Sequence, residues 1–440
     1  MGAERSGLRF YGFTLLSALF YIYIAYFLER HQSWNLMVAY GVLFLAYVAI
    51  LKVLEQFSVK GLVLVGIVFR CLLLFSFPNL SDDIYRFVWD GKLISAGIHP
   101  FAHLPGDLVE TAQLPENISM ELYGKLNSPH YYTIYPPVAQ FIFWLSTIVS
   151  DSVHGSAVFI RSCILIAEAG TLWLLFQLTM VYNIKPHALL IYALNPLVIL
   201  ELTGNLHFEA FMIFFVLLGV YFFEKKKIHF AAAGFGLAIA GKLLPLMFMP
   251  AFIRRLGFKK LALFFLITGT ATALLFVPLL DLALWDGMGS SISLYFQKFE
   301  FNASIYYLVR EVGYWVKGYN IIGSAGRWLS GITFLSIVVI SLVTGAKVRL
   351  PPVLLWVLLV YLLMATTVHP WYITTLIALA VLTGIRFPVL WSGLIFLTYI
   401  GYTETTYHES MLVVLLEYTC VMIFMGYELV RVFNNKMSLQ

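Results

Sequence analysis

An all-α bundle that crosses a membrane many times is the architecture to expect from this chain, on three observations. Of its 440 residues, 61% are hydrophobic and 17% aromatic. Asp, Glu, Lys and Arg together supply only 12%, about half the share in a soluble domain. Apolar runs recur along nearly the whole length, separated by short polar breaks. Twenty-eight basic and 23 acidic side chains cannot cover the surface of a soluble body of this size. The same composition argues against a disordered chain and a disulfide-built secreted domain. Residues 1–440 therefore read as one integral membrane domain.

The net charge of +5 is informative by position, not as a total. No basic tract is dense enough to indicate nucleic acid. Cys71, Cys163 and Cys420 sit inside apolar runs without pairing or metal spacing and are expected as small core residues. The first run, near Phe10 to Leu28, is not followed by a small-residue cleavage pattern and reads as a retained span.

A span needs roughly 20 apolar residues, and on that measure about 11 to 14 spans are expected. The run 229–252 is broken by Gly241, Lys242 and Pro245 and reads as two half-helices. Basic clusters at Lys225–Lys227, Arg254–Arg255, Lys259–Lys260, Lys347 with Arg349, and Arg386 are placed in the cytoplasm, as are both termini. Counting spans from these points puts 78–130, 204–209 and His369 together outside. One difficulty remains between residues 130 and 204. Three apolar segments lie there although both ends are expected on the same side, so either one segment fails to cross or the segments are wrongly divided.

Residues 78–130 form the longest polar stretch, with seven acids against three bases. Such a bias fits a non-cytoplasmic loop. Asp83 to Ala96 can be written as a helix with Ile84, Phe87, Val88 and Leu93 on one apolar side, lying along the membrane surface, with Gly97 ending it.

Five constellations carry chemistry. In Ser81-Asp82-Asp83-Ile84-Tyr85-Arg86, two adjacent carboxylates stand at the start of that surface helix. They serve either as helix caps or as a general base beside a lipid-embedded substrate. Gly204-Asn205-Leu206-His207-Phe208-Glu209, preceded by Asn195-Pro196 and Glu201, offers His207 and Glu209 to a sugar or phosphate; a capped helix–helix turn is the plainer alternative. Lys242 lies in an apolar stretch, where a lysine costs about 2.5–3.5 kcal/mol on insertion scales. It should face a polar cavity or snorkel to a surface. Phe301-Asn302-Ala303-Ser304 begins a span or a surface helix and has the chance form of a glycosylation acceptor. Thr366-Thr367-Val368-His369-Pro370-Trp371-Tyr372 turns at Pro370, and places His369 and Tyr372 at a site wall or in an interfacial aromatic belt. Arg161 and Glu168, seven apart on one helix face, are expected as a structural pair. Arg70 either approaches a phosphate or snorkels. There is no HExxH or CxxC and no Gly-rich nucleotide cradle, so no metal ligands and no cofactor are expected, with a divalent metal left open.

In order, these motifs resemble the GT-C superfamily of membrane glycosyltransferases, and among them the bacterial mannosyltransferases that use polyprenyl-phosphate-mannose. The likeness rests on Asp82-Asp83-x-Tyr85-Arg86-x-x-Trp89-Asp90-Gly91, Gly97-Ile98-His99-Pro100-Phe101, Tyr135-Pro136-Pro137, Asn195-Pro196, Gly204-Asn205-x-His207-x-Glu209, Lys242-Leu243-x-Pro245 and His369-Pro370-Trp371-Tyr372. The resemblance implies a GT-C fold with its active site on the non-cytoplasmic side. It implies a catalytic base at Asp82 or Asp83, and groups near the lipid phosphate at His369 and Lys242. Arg86 would either join them or orient Asp83. The partners implied are a polyprenyl-phosphate-linked sugar donor, a glycan or glycolipid acceptor and membrane lipid. The expected reaction is inverting transfer of a hexose, mannose in the first instance. A lipid-linked glycan flippase or other transporter, and a polysaccharide ligase or polymerase, are the alternatives.

Overall fold

The structure, a computed structural model, describes residues 2–437. Among them the chain is helical throughout, and the extended backbone is limited to two isolated bridges, Phe301 to Thr367 and Tyr402 to Tyr407. Among the described residues six helices are long and apolar enough to cross a membrane: Gly7–Phe27, Ser33–Leu51, Val153–Val181, Phe258–Leu279, Ile322–Thr344 and Met411–Arg431. Pro186–Ala193 and Pro196–Gly204, bent by 52° about Asn195, form a bent pair, either a broken span, which makes a seventh, or a re-entrant loop. The other apolar segments behind the count of about 11 to 14 form shorter helices, among them Ile228–Gly241, Leu350–Met364, Pro370–Thr383 and Phe387–Gly401.

Polar contacts show which ends of the bundle meet. At one end, Arg30 after the first helix pairs with Asp82 (2.5 Å), and His154 at the start of Val153–Val181 bonds the Phe75 carbonyl. At the other end Lys185 pairs with Glu55, Arg349 donates to the Tyr182 carbonyl and Arg255 to that of Val348. The backbone at Arg386 is held there by Glu428. The basic clusters thus share the end opposite Asp82.

The segment that fails to cross is Pro137–Val149. Its start bonds to the Asp83 helix through Tyr135 and Gln140. Its end bonds through the Ser146 carbonyl to Ser156, beside His154 and Phe75. Both ends therefore lie at the Asp82 end. With 13 residues, this helix lies parallel to Asp83–Ser95. The two helices touch closely at Gly91, where any Cβ would collide with the Phe143 carbonyl. This close approach explains the glycine of the Trp89-Asp90-Gly91 run. Asp83–Ser95 is less a surface helix than expected: its apolar side is buried, and so are Arg86, Trp89 and Asp90.

The break in the 229–252 run is also a reversal. Ile228–Gly241 ends at Lys242, and the 3₁₀ helix Leu244–Phe252 takes the chain back. Phe252 then packs on Phe223, in the last turn of Glu209–Glu224. Ile305–Lys317 is a surface helix and not a span, with Trp315 and Val316 on its exposed side.

Two buried arginines hold the interior, with partners the sequence spacing did not indicate. Glu168 pairs with Arg70 (2.8 Å), not with Arg161, and also accepts from Tyr192. Arg70 is thus a buried structural group and neither snorkels nor meets a phosphate. Arg161 instead donates to the carbonyls of Leu74, Ser76, Thr203 and Gly204. The cysteines are not core residues: Cys71 is exposed on the bundle and the other two are half-buried.

Glu168→Ala leaves the Arg70 guanidinium buried without its carboxylate, which costs about 3–5 kcal/mol. The variant should melt well below the parent in detergent. Arg161→Lys should also lose stability, because one ammonium cannot reach four carbonyls.

Candidate active site

Asp82 occupies the N-cap position of Asp83–Ser95 but makes no capping bond. Its carboxylate is instead engaged by Arg30, whose guanidinium also lies over the Tyr402 ring at 4.5 Å. Asp83, in the first turn, accepts from Asn127 Nδ2 (3.0 Å) and Tyr135 OH (3.1 Å). Both of its partners are neutral. The two adjacent acids therefore differ: one is paired with a cation, and the other meets only neutral donors.

Arg86 does not orient Asp83. It pairs with Asp90 (2.9 Å) and donates to the carbonyls of Ser128 and Tyr131, with Nη2 buried and unpartnered. Asp90 also accepts from Thr133 and Gln140. This buried cluster fixes the 128–135 segment against the helix, and so sets the position of the Tyr135 hydroxyl on Asp83.

Asn195 caps the second half of the broken span, accepting from the amides of Leu197 and Val198. The chain then makes a π-helical turn, Ile199–Gly204, a form that recurs at functional sites. Buried Glu201 accepts from Tyr399 OH (2.9 Å) and Asn205 Nδ2 (3.0 Å). His207 Nε2 lies 3.3 Å from the same carboxylate, within ion-pair range but without hydrogen-bond geometry. The His207 ring stacks on Trp371, with centroids 3.6 Å apart.

Glu209 and Lys242 form an ion pair with Glu209 buried, so Lys242 does not snorkel. The ammonium also sits over the Tyr372 ring, 4.8 Å from its centroid. The start of Glu209–Glu224 and the end of the next helix, Ile228–Gly241, thus meet here, each polar group relieving the cost of the other.

His369 stacks on Trp371 (4.4 Å) and packs against Phe301 and Tyr372. The residue keeps some exposure, yet its Nδ1 is buried without a partner. Burial pushes this imidazole down to about 3, with His207 and Lys242 adding to the effect. A neutral imidazole there has a ring nitrogen to offer to a hydrogen bond.

The loop bearing Phe301 is anchored from below. Asn302 has a left-handed backbone, φ 46°. Its amide N–H donates to Glu409 and its Nδ2 to buried Glu417, which also accepts from Trp391. Asn302 is fully buried, which rules it out as a glycosylation acceptor.

Asp82, Asp83, His207, Glu209, Lys242, His369 and Tyr372 therefore gather at one end of the bundle, linked by two chains of contact. One runs from Arg30 through Tyr402, Tyr407 and Phe301 to His369. The other runs from Asp83 to Tyr135 and through the Phe87 ring to Phe208, next in the chain to Glu209, and so to Lys242. Arg86 alone among the expected site residues turns away into its own cluster. Sequence reasoning missed Arg30, Tyr402 and Tyr407. The available signals were an arginine in a loop expected outside and the tyrosine-rich turn before the last span. Among the described residues no group of three or more His, Cys, Asp or Glu side chains is placed to hold a metal ion.

Residues 17–256 match the model of the MptA_B family, described as alpha-(1->6)-mannopyranosyltransferase, N-terminal domain. Alpha-(1->6)-mannopyranosyltransferase A of Corynebacterium glutamicum is 25% identical over 172 residues, 39% of this chain and 34% of that protein. The A protein of Mycobacterium tuberculosis is 30% identical over 149 residues, 34% of this chain and 28% of that protein. The B protein of Corynebacterium glutamicum is 27% identical over 145 residues, 32% of this chain and 23% of that protein. The matched stretches thus span about a third or less of those relatives' length. The family match covers more than half of the chain and takes in Asp82, Asp83, His207, Glu209 and Lys242, and the chain accordingly belongs to the MptA_B family of alpha-(1->6)-mannopyranosyltransferases.

Proposed function

We propose that this chain is an inverting mannosyltransferase that moves one mannose from a polyprenyl-phosphate carrier to a hydroxyl of a glycan or glycolipid acceptor. The convergence of Asp83, the Glu209–Lys242 pair and His369 at the end opposite the basic clusters carries the reading. With those clusters in the cytoplasm, the site faces outward, in a bacterium into the periplasm from the inner membrane.

The donor's tail lies in lipid, which already sets the depth and orientation of its phosphate and sugar. Asp83 takes the proton of the acceptor hydroxyl. The oxygen attacks the anomeric carbon from the face opposite the phosphate, the bond to the phosphate oxygen breaks, and its electron pair leaves with the phosphate. Lys242, held by Glu209 and the Tyr372 ring, faces the charge that grows there. Neutral His369 supplies a hydrogen bond through a ring nitrogen. Asp83 is assigned the base because Asp82 is committed to Arg30. Asp82 keeps Arg30 in place beside the site. A flippase would need a polar path between the two faces, whereas the interior Arg70, Arg161 and Glu168 are consumed by bonds to one another and to carbonyls.

Transfer from polyprenyl-phosphate-mannose in membranes should fall by about 10³-fold in Asp83→Asn, within the range for loss of a general base. Asp82→Asn should fall by only about tenfold, since it removes a positioning group. Equal activity of Asp83→Asn and parent would end the assignment. Lys242→Met should lower kcat by about 10²-fold, as for loss of one group that stabilises a developing anion. Between pH 5 and 8 the kcat profile should show no step that disappears in His369→Gln.

A further inference from the structure

The mechanism leaves the acceptor without a seat, and an exposed aromatic pair joins two loops that are tied to the site. Tyr131 and Phe299 are 38% and 39% exposed. Their rings meet edge to face, with centroids 5.6 Å apart and planes at 70°. They come from two different loops, and each loop is tied to one half of the site. The Tyr131 carbonyl accepts from Arg86 (2.8 Å), one turn along the helix from Asp83, and Asn127, four residues earlier, donates to Asp83 itself. The Phe299 carbonyl accepts from Thr367 Oγ1 (3.0 Å), two residues before His369. Phe301 N–H donates to the Thr366 carbonyl and Val368 N–H to that of Phe301. The neighbouring Tyr132 carbonyl accepts from Ser291. The pair therefore bridges the loop that bonds to Asp83 and the loop that bonds to the His369 segment, with both backbones pinned and both rings partly exposed.

We propose that Tyr131 and Phe299 form the sugar-stacking subsite for the acceptor glycan. This rests on the transferase reading and goes beyond it by naming where the acceptor binds. The C–H face of a pyranose is apolar and its hydroxyls are wet. It suits an aromatic face at the water boundary, where one side is apolar and the other open. Rings on pinned loops lose little freedom when a ligand binds. Attack opposite the departing phosphate also requires the acceptor to enter on the Asp83 side, away from Lys242. An aromatic that only anchors the protein in the interface would not need its carbonyl held by the arginine of the Asp83 helix.

The test uses the full chain in detergent, with polyprenyl-phosphate-mannose as donor and octyl α-mannoside as acceptor. Tyr131→Ala and Phe299→Ala should each raise the acceptor KM by about tenfold, the upper end for one aromatic contact. The donor KM should stay within about twofold of the parent. Tyr131→Trp, which keeps an aromatic face, should restore most of the acceptor affinity lost in Tyr131→Ala. An unchanged acceptor KM in both alanine variants, or an equal rise for donor and acceptor, would overturn the subsite. Failure of the parent protein itself to transfer mannose would instead remove the transferase reading, and the two failures are told apart by that control.

Discussion

Arg161 is the pin of this molecule. In an apolar bundle a backbone carbonyl that leaves its helix has no water to accept from, and each one left bare costs several kcal/mol. The break between Ile199 and Gly204 releases such carbonyls, and so does the end of Val59–Leu72. Arg161 meets four of them at once. Its guanidinium thereby joins the end of the third helix to the turn that presents His207 and Glu209. The irregular backbone needed for a site is affordable only where such a partner waits.

The site repeats that logic. Three carboxylates in it are matched by a cation: Asp82 by Arg30, Asp90 by Arg86, Glu209 by Lys242. Asp83, like Glu201, accepts only from neutral donors, and His369, like His207, keeps a buried nitrogen without a hydrogen bond. Glu201 and His207 are buried, whereas Asp83 and His369 keep some exposure. The aromatic rings between them, from Tyr402 to Trp371, give the site walls without adding charge that would itself need a partner.

The turns that carry the chemistry are short and scattered along the chain from Asp83 to Tyr372, yet they need not be rigid alone. Asn302 illustrates the support. Its left-handed backbone is held by two carboxylates from the last span and the loop before it, and this places Phe301 against His369. The Asp90 cluster does the same for Tyr135 and Asp83.

The amino-acid string by itself determined the class of the molecule, because composition and run length answer to the membrane one segment at a time. It also marked the polar turns, since a charge in an apolar run stands out wherever it falls. The span count between 130 and 204 showed that something there departs from simple crossing, but not that Pro137–Val149 has both ends at the Asp82 end. Pairing was beyond its reach. Spacing on one helix joined Arg161 to Glu168, but both found partners on other helices. Lys242 looked free to snorkel until Glu209 came beside it. The two aspartates looked alike until Arg30 arrived from another loop. Partner choice depends on which helices pack side by side, and that is set by the whole bundle at once and not by any stretch within it.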